Sequence, residues 1–180
     1  FRETLLSDAY YYHRMMAWNR DVGRGVTNPA IPDARVCPDD CGLCNLHVSH
    51  PVLANVDLTN RCNMSCPICF ANANVQDYIY EPSYEQIVQM LQTLRDSRPV
   101  SGRVVQFAGG EPTLHPDWFR ILTKANEMGF SHVQCATNGL KFAEDPSFAE
   151  KSREAGLHTL YLQFDGVDPA LYEKIRGRKD

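Results

Sequence analysis

The sequence predicts an α/β protein built on a parallel sheet, which is either open or closed into a β/α barrel. Four short apolar segments are typical of β-strands, and a segment with an amphipathic helical pattern follows each of them. This order of strand, loop and helix returns at a pitch of roughly 27 residues, as it does in parallel sheets and β/α barrels. The loops after the strands build the active site of such folds, and every unusual motif of this chain lies in one of them.

The chain is irregular before the first strand. Residues 1–20 carry apolar side chains at roughly helical spacing, which predicts a packing helix. Glycines and prolines interrupt residues 21–36, which we interpret as a linker. Residues 52–58 form a short aliphatic run and predict the first buried strand.

A capping box marks the helix of the first βα unit. Ser83 stands at the N-cap position and Gln86 follows three residues later, so that each side chain can bond the backbone N–H of the other. An apolar stripe at helical spacing follows: Ile87, Met90, Leu91 and Leu94. Residues 103–107 then predict the second strand.

The same pattern continues twice more. Residues 132–136 and 157–164 predict the third and fourth strands, and Asp145-Pro146 and Asp168-Pro169 predict the starts of the helices that follow. Pro116 is expected at the first position of the intervening helix, which ends at Gly129. The residues expected to pack from that helix are Trp118, Phe119, Leu122, Ala125 and Met128.

Composition indicates an ordinary globular domain. The 180 residues are 43% hydrophobic and 22% charged, which is enough for one domain with a core. The net charge is -4 and the basic residues are scattered, so the sequence shows no basic patch of the kind that binds nucleic acid. No apolar run is long enough to span a bilayer, and no signal peptide is visible.

Six of the seven cysteines form two triplets with the same spacing. Cys62, Cys66 and Cys69 follow the first strand as C-x3-C-x2-C, and an identical triplet precedes them: Cys37, Cys41 and Cys44. An odd total excludes a complete set of disulfides within the chain. The repeat favours metal or cluster ligation in a reducing compartment, and the second triplet could hold three corners of an iron–sulfur cubane with one iron open. A disulfide and a buried trio of thiols are the alternatives.

Zinc is a further alternative for the cysteines. Cys41 with Cys44 and Cys66 with Cys69 approximate the two halves of a four-cysteine zinc ribbon. That pairing gives no role to Cys37 and Cys62, each of which stands four residues before one of the pairs. The zinc hypothesis therefore predicts a non-catalytic binding module instead of an enzyme.

The loop after the second strand has the sequence Gly109-Gly110-Glu111-Pro112. Two glycines at a strand end let backbone carbonyls approach a ligand closely, and Glu111 can accept hydrogen bonds from an ammonium group. The alternative is that Glu111 is a solvated loop carboxylate.

Together these motifs resemble the radical S-adenosylmethionine (SAM) superfamily. The resemblance rests on Cys62-x3-Cys66-x2-Cys69-Phe70, Gly109-Gly110-Glu111-Pro112 and Thr137-Asn138-Gly139 at successive strand ends. It covers about residue 52 to the end and implies a partial parallel (βα)6 barrel, of the TIM type, truncated here to about four βα units. The activity it implies is reductive cleavage of SAM to a 5′-deoxyadenosyl radical, which abstracts hydrogen from an unactivated carbon.

The resemblance also implies roles for single residues. Cys62, Cys66 and Cys69 would bind a [4Fe–4S] cluster whose fourth iron takes the amino and carboxylate groups of SAM. The other implied SAM-binding residues are Phe70 along the adenine, Gly109, Gly110 and Glu111 at the amino group, and Asn138, Gln163 and Asp165 at the ribose or the substrate. No catalytic side chain is assigned beyond the cluster. An electron donor such as ferredoxin or flavodoxin is the implied partner.

The first triplet narrows the resemblance. Cys37-Pro38-Asp39-Asp40-Cys41-Gly42-Leu43-Cys44 and the residues around the second triplet are similar to the archaeal tetraether lipid synthase group, whose relatives include pterin-directed class D methyltransferases. In such proteins an auxiliary cluster lies near the catalytic one, so we assign the first triplet to an auxiliary [4Fe–4S] cluster. Its fourth ligand stays open between Cys135, His47, His50 and residues outside this sequence. The four other histidines are expected to be structural: His13, His115, His132 and His158.

Two reactions follow from this resemblance. The leading expectation is carbon–carbon joining of lipid chains, and the alternative is methylation of a pterin or another small acceptor. We expect a cytoplasmic protein, associated with a membrane only if its substrate is a lipid.

Three parts are expected along the chain. Residues 1–36 form a helix and linker, residues 37–50 an auxiliary cluster-binding segment, and residues 51–180 a radical SAM core. The chain starts without methionine and stops as a new helix begins, so we also expect it to be a fragment of a longer protein whose core is incomplete at its C-terminal end.

Overall fold

The computed structural model describes residues 52–73, 75, 77–97 and 101–177. The chain divides into two compact units, Phe1–Val52 with Thr93–Gly102, and Leu53–Gln92 with Arg103–Asp180. The predicted N-terminal helix, the linker and the first cysteine triplet lie outside the described residues. The predicted boundaries at residues 36 and 50 therefore stay predictions.

A four-stranded parallel sheet forms the centre of the second unit. Its strands are β1 (Ala54–Thr59), β2 (Val104–Gly109), β3 (His132–Thr137) and β4 (Thr159–Leu162). They lie side by side in the order β1-β2-β3-β4, and every neighbouring pair is parallel. The predicted α/β fold with a parallel sheet is confirmed.

Helices connect the strands. They are α1 (Tyr84–Asp96), α2 (Trp118–Glu127), α3 (Leu140–Glu144), α4 (Pro146–Glu154) and α5 (Pro169–Arg176), with a 3₁₀ helix at Pro112–Leu114. The capping box is confirmed, because the Ser83 backbone N–H donates to Gln86 and the Gln86 N–H donates to Ser83. None of the described helices is long and apolar enough to cross a membrane.

Several predicted details were wrong. The helix after Pro116 begins two residues later, at Trp118, so its buried face carries Ile121, whereas Phe119 is exposed. The short helix α3 was not predicted. The fourth strand is shorter than the predicted residues 157–164, and all four of its residues are exposed.

The two faces of the sheet differ in chemistry. One face packs against helices, and its buried side chains include Val105, Phe107, Val133 and Cys135. Trp118 of α2 closes this core, where its indole N–H donates to Ser152 Oγ of α4 at 3.0 Å. The other face carries polar and small side chains that are exposed or half-buried.

Candidate functional site

The second cysteine triplet lies on the loop that follows β1, which we call the cysteine loop (residues 60–73). Cys62, Cys66 and Cys69 are half-buried and take part in no disulfide. Successive turns shape the loop, since the Cys69 N–H donates to Cys66 O at 3.2 Å and the Asn72 N–H donates to Cys69 O at 3.2 Å. The loop thus brings all three thiols to the carboxyl end of the first strand.

Hydrogen-bond donors from other parts of the chain reach two of these sulfurs. Asn138 Nδ2 lies 3.8 Å from Cys62 Sγ, and Arg176 Nη1 lies 3.7 Å from Cys66 Sγ. The Met64 N–H also donates to Cys62 Sγ at 3.4 Å. Donors of this kind stabilise a thiolate, and around an iron–sulfur cluster they help to set its reduction potential.

Some neighbours of Cys62 raise the pKa of its thiol and others lower it. Burial raises the pKa of the Cys62 thiol, the Met64 N–H opposes this rise, and the nearby Glu111 and Cys66 reinforce it. A thiol that ligates a metal is deprotonated. Ligand binding at Cys62 would therefore release a proton.

The glycine-rich loop (residues 109–115) lies directly against the cysteine loop. The Gly110 N–H donates to Thr59 O at 2.7 Å, and the Glu111 N–H donates to Arg61 O at 2.8 Å. A Cβ at Gly109, whose φ is +122°, would lie 2.2 Å from Thr59 O, and one at Gly110 would lie 2.3 Å from Arg61 O. Both glycines are thus required where the loop meets the chain's own backbone, whereas the sequence suggested a close approach to a ligand.

Glu111 is fully buried, so the alternative of a solvated carboxylate is wrong. Its Oε1 accepts hydrogen bonds from the Thr113 N–H at 3.2 Å, the Thr113 hydroxyl at 2.6 Å and the Thr137 hydroxyl at 2.9 Å. Its Oε2 accepts from the Asn138 N–H at 2.9 Å. This carboxylate ties the ends of β2 and β3 together and retains acceptor capacity on Oε2.

Asn138 connects the loop after β3 to the cysteine loop. Besides its contact with Cys62, its Nδ2 donates to Asn63 Oδ1 at 2.8 Å, and its Oδ1 accepts from the Leu140 N–H at 3.0 Å. The structure therefore places this predicted cofactor-binding residue beside the cysteine sulfur.

The other two predicted polar residues, Gln163 and Asp165, follow β4. Gln163 Nε2 donates to Asp165 Oδ1 at 3.2 Å, and Asp165 Oδ2 accepts from Arg176 Nε. The Arg176 guanidinium lowers the pKa of the Asp165 carboxyl. The same guanidinium reaches Cys66, so the end of α5 and the loop after β4 meet at the cysteine loop.

Phe70 is the most exposed aromatic side chain of the loop. Its exposed fraction is 98%, and Ile68 beside it is also exposed. Large apolar side chains in such a position are suited to contact with a planar ligand.

Three of the candidate structural side chains are explained by their contacts. His115 is buried and accepts from the Asp117 N–H at Nδ1, so its Nε2 donates to Pro82 O at 3.0 Å. The rings of His132 and His158 contact each other at a tilt near the start of β3, with their centroids 5.2 Å apart. These placements agree with the structural roles expected of them.

Cys135 is a poor candidate for a cluster ligand. It is fully buried in β3 opposite Phe107 of β2, and burial raises the pKa of its thiol well above the ordinary value. A protonated thiol enclosed by apolar side chains behaves as a small hydrophobic residue. His47 and His50 lie outside the described residues.

The donor set of the cysteine loop fits an iron–sulfur cluster. Among the described side chains, no three cysteine, histidine, aspartate or glutamate residues converge as they would around a single metal ion. A cubane does not need such convergence, because each thiolate binds a different iron. Three thiols on one loop that form no disulfide, with N–H donors at two of the sulfurs, match that requirement.

Arg176 was missed by the sequence analysis, and so were Thr113 and Thr137 as partners of Glu111. Arg176 stands at the C-terminal end of a helix, where a basic residue is ordinary. A weak signal for the threonines existed, since Thr113 directly follows one predicted loop motif and Thr137 is the first residue of another.

Comparison with protein families gives one match, to the model described as the radical SAM superfamily, over residues 56–180. Among solved structures, methylornithine synthase is similar with a TM-score of 0.55 and 21% identity. That match covers 69% of this chain and 36% of the synthase, and it supports the barrel-type fold alone.

Two curated relatives bear on the reaction. The 7,8-dihydro-6-hydroxymethylpterin dimethyltransferase of Methanocaldococcus jannaschii is 45% identical over 178 residues, which are 99% of this chain and 34% of that protein. A probable GTP 3′,8-cyclase of Sulfolobus acidocaldarius is 31% identical over 68% of this chain and 37% of the cyclase. The chain thus spans about a third of the length of these relatives. The first of them favours the methyltransferase alternative, and neither supports the joining of lipid chains.

Proposed function

The chain belongs to the radical SAM superfamily, whose members use SAM and a [4Fe–4S] cluster, and from that premise we propose that it is part of an enzyme that methylates a pterin-type heterocycle. One observation carries the reaction. The similarity to the pterin dimethyltransferase extends over 99% of the chain, whereas the superfamily match begins only at residue 56. The segment with the first cysteine triplet therefore lies within the region shared with that relative.

The cysteine loop would hold the catalytic cluster through Cys62, Cys66 and Cys69. With SAM bound, the cluster supplies an electron and a radical that removes hydrogen from an unactivated carbon. Asn138 and Arg176 would orient the loop by donating to the sulfurs of Cys62 and Cys66. Because one donor follows β3 and the other is the last residue of α5, the position of the loop would depend on parts of the chain that are distant in sequence.

SAM would lie across the same strand ends. Among the described residues, Glu111 Oε2 accepts a hydrogen bond from the Asn138 N–H alone, and it would accept another from the SAM ammonium group. Gly109 and Gly110 hold that carboxylate against the cysteine loop. Phe70 presents an exposed ring that would contact the adenine, and Gln163 and Asp165, in the loop after β4, would bind ribose hydroxyls.

A second cluster would lie at the first triplet. We assign Cys37, Cys41 and Cys44 to it, with the fourth ligand from His47, His50 or residues beyond this sequence, since Cys135 is fully buried among apolar side chains of the sheet. An electron carrier of the ferredoxin or flavodoxin class would reduce the enzyme.

A turnover assay tests this function. The protein at its full natural length is reconstituted with iron and sulfide without oxygen, reduced, and supplied with SAM and 7,8-dihydro-6-hydroxymethylpterin. We expect 5′-deoxyadenosine and a pterin whose mass has grown by methyl groups. Deoxyadenosine without any methylated pterin would contradict the proposed acceptor, and stoichiometric zinc without iron would contradict the enzyme itself.

A further inference from the structure

The face of the sheet that is turned away from the helices has an unusual composition. Its two levels nearest the strand ends on β1, β2 and β3 form what we call the polar face, and Val104 and His132 lie one level further from those ends. The polar face consists of Asn55, Asp57, Gln106, Ala108, Gln134 and Ala136. In a β/α barrel this face points inward and is ordinarily filled by branched aliphatic side chains. The polar face has none, so it is unsuited to a dry packed interior and suited to a polar ligand.

Asp57 is the one charged side chain of this surface. It is exposed, and within the described part of the chain its carboxylate has no hydrogen-bond or ion-pair partner. Its register partner on β2 is Ala108, and Ala136 lies on the same side of β3. These two methyl groups leave space beside the carboxylate.

Three carboxamides lie one level below Asp57. Asn55 pairs in register with Gln106, and Gln106 with Gln134. Gln106 Nε2 donates to Asn55 Oδ1 at 3.0 Å, which orients the Gln106 oxygen and its second N–H for other partners. Neighbouring strands are about 4.8 Å apart, so the row offers donors and acceptors along one line.

The polar face is close to the proposed SAM site. Asp57 stands two residues before Thr59, the last residue of β1, and the cysteine loop follows at once. Two residues of strand span about 7 Å. A ligand held by Asp57 therefore lies directly beneath the strand ends where the radical would form.

We propose that the polar face is the subsite for the amino-amide edge of the pterin ring, an inference that rests on the proposed function. Asp57 accepts two parallel hydrogen bonds, one from the exocyclic amino group and one from the adjacent ring N–H. A carboxylate matches such a pair of donors with two oxygens. Gln106 and Gln134 bind the ring carbonyl and a ring nitrogen, and Asn55 positions Gln106.

Ligand discrimination tests this subsite. Reconstituted protein of full natural length is titrated with 6-hydroxymethylpterin and with its lumazine counterpart, in which a carbonyl replaces the amino group. The wild type should prefer the pterin, since Asp57 repels the carbonyl. Asp57→Asn should weaken pterin binding by at least about tenfold and reduce that preference, because its amide offers only one acceptor. Gln106→Met and Gln134→Met should have smaller effects.

Glu150→Gln is the matched control, since it removes an exposed carboxylate from α4 on the helical side. It should leave pterin affinity unchanged, and Asp57→Asn should keep the iron content and SAM affinity of the wild type. If Asp57→Asn binds both ligands as the wild type does, the subsite is wrong while the proposed function stands. A wild type that binds no pterin would overturn both.

Discussion

The glycine-rich loop and the cysteine loop are neighbours at the strand ends, yet they differ in how deeply their side chains are buried. The glycine-rich loop buries Glu111, Thr113 and His115 and gives each of them hydrogen-bond partners. The cysteine loop instead exposes Ile68 and Phe70 and carries three thiols without a disulfide. Contacts within the chain therefore bury the glycine-rich loop against the sheet, which together we call the frame, whereas the cysteine loop presents apolar side chains to solvent.

The largest effect should come from the cysteine loop. Replacing Cys66 by alanine removes one of three proposed iron ligands and should abolish SAM cleavage, measured as 5′-deoxyadenosine. The unfolding midpoint of the iron-free protein should not fall, because the frame does not use this thiol. Cys41→Ala is the control and should keep the electron paramagnetic resonance (EPR) response to SAM. If both variants lose the same signal, the assignment to two clusters is wrong.

A substitution in the frame should instead lower the stability of the iron-free protein. Gly110→Ala would place a Cβ 2.3 Å from Arg61 O, and the backbone must move to relieve the clash. We expect a loss of about 3 kcal/mol in the free energy of unfolding, measured by denaturation of the iron-free protein. An unchanged stability would mean that the two loops do not meet as closely as the structure shows.

Glu111→Gln tests the hydrogen bonds of the same frame. The new NH₂ group would face the N–H of Asn138 or the hydroxyls of the threonines, so a buried donor loses its acceptor. The free energy of unfolding should fall by about 2 kcal/mol, and SAM affinity should fall with it. Glu144→Gln, at an exposed position of α3, should change neither quantity.

The smallest effect is expected where α5 meets the cysteine loop. Arg176→Gln removes a positive charge beside Cys66, which stabilises the more negative, reduced cluster. The reduction potential of the cluster should fall by up to roughly 60 mV. For a one-electron couple this corresponds to a change of at most tenfold in the equilibrium constant for reduction. Spectroscopic titration would measure this, with the exposed Arg153→Gln as control. A potential that rises would contradict the contact.

The frame was easier to predict from the sequence than the way the loops meet. Local signals are strong for the sheet and its helices, because the Ser83 capping box and the Asp-Pro starts at Asp145 and Asp168 act through neighbouring residues. The cysteine spacing and Gly109-Gly110-Glu111 were enough to indicate the superfamily.

Contacts between distant residues were beyond the sequence. Arg176 reaches Cys66 across 110 positions, and nothing in the order of residues announces that contact. The glycines were expected to approach a ligand, but their fit depends on the backbone of residues 59–61, which only the parallel pairing of β1 and β2 brings there. The polar face likewise becomes visible only when the strand register is known.

The central claim is that the cysteine loop carries an iron with an open coordination position for SAM. Electron-nuclear double resonance of the reduced protein with SAM labelled by ¹⁵N at its amino group tests it most directly. We predict a ¹⁵N coupling to the cluster in the wild type and in Cys41→Ala, with no such signal in Cys66→Ala. A reduced cluster in the wild type that shows no coupling at saturating SAM would contradict the claim.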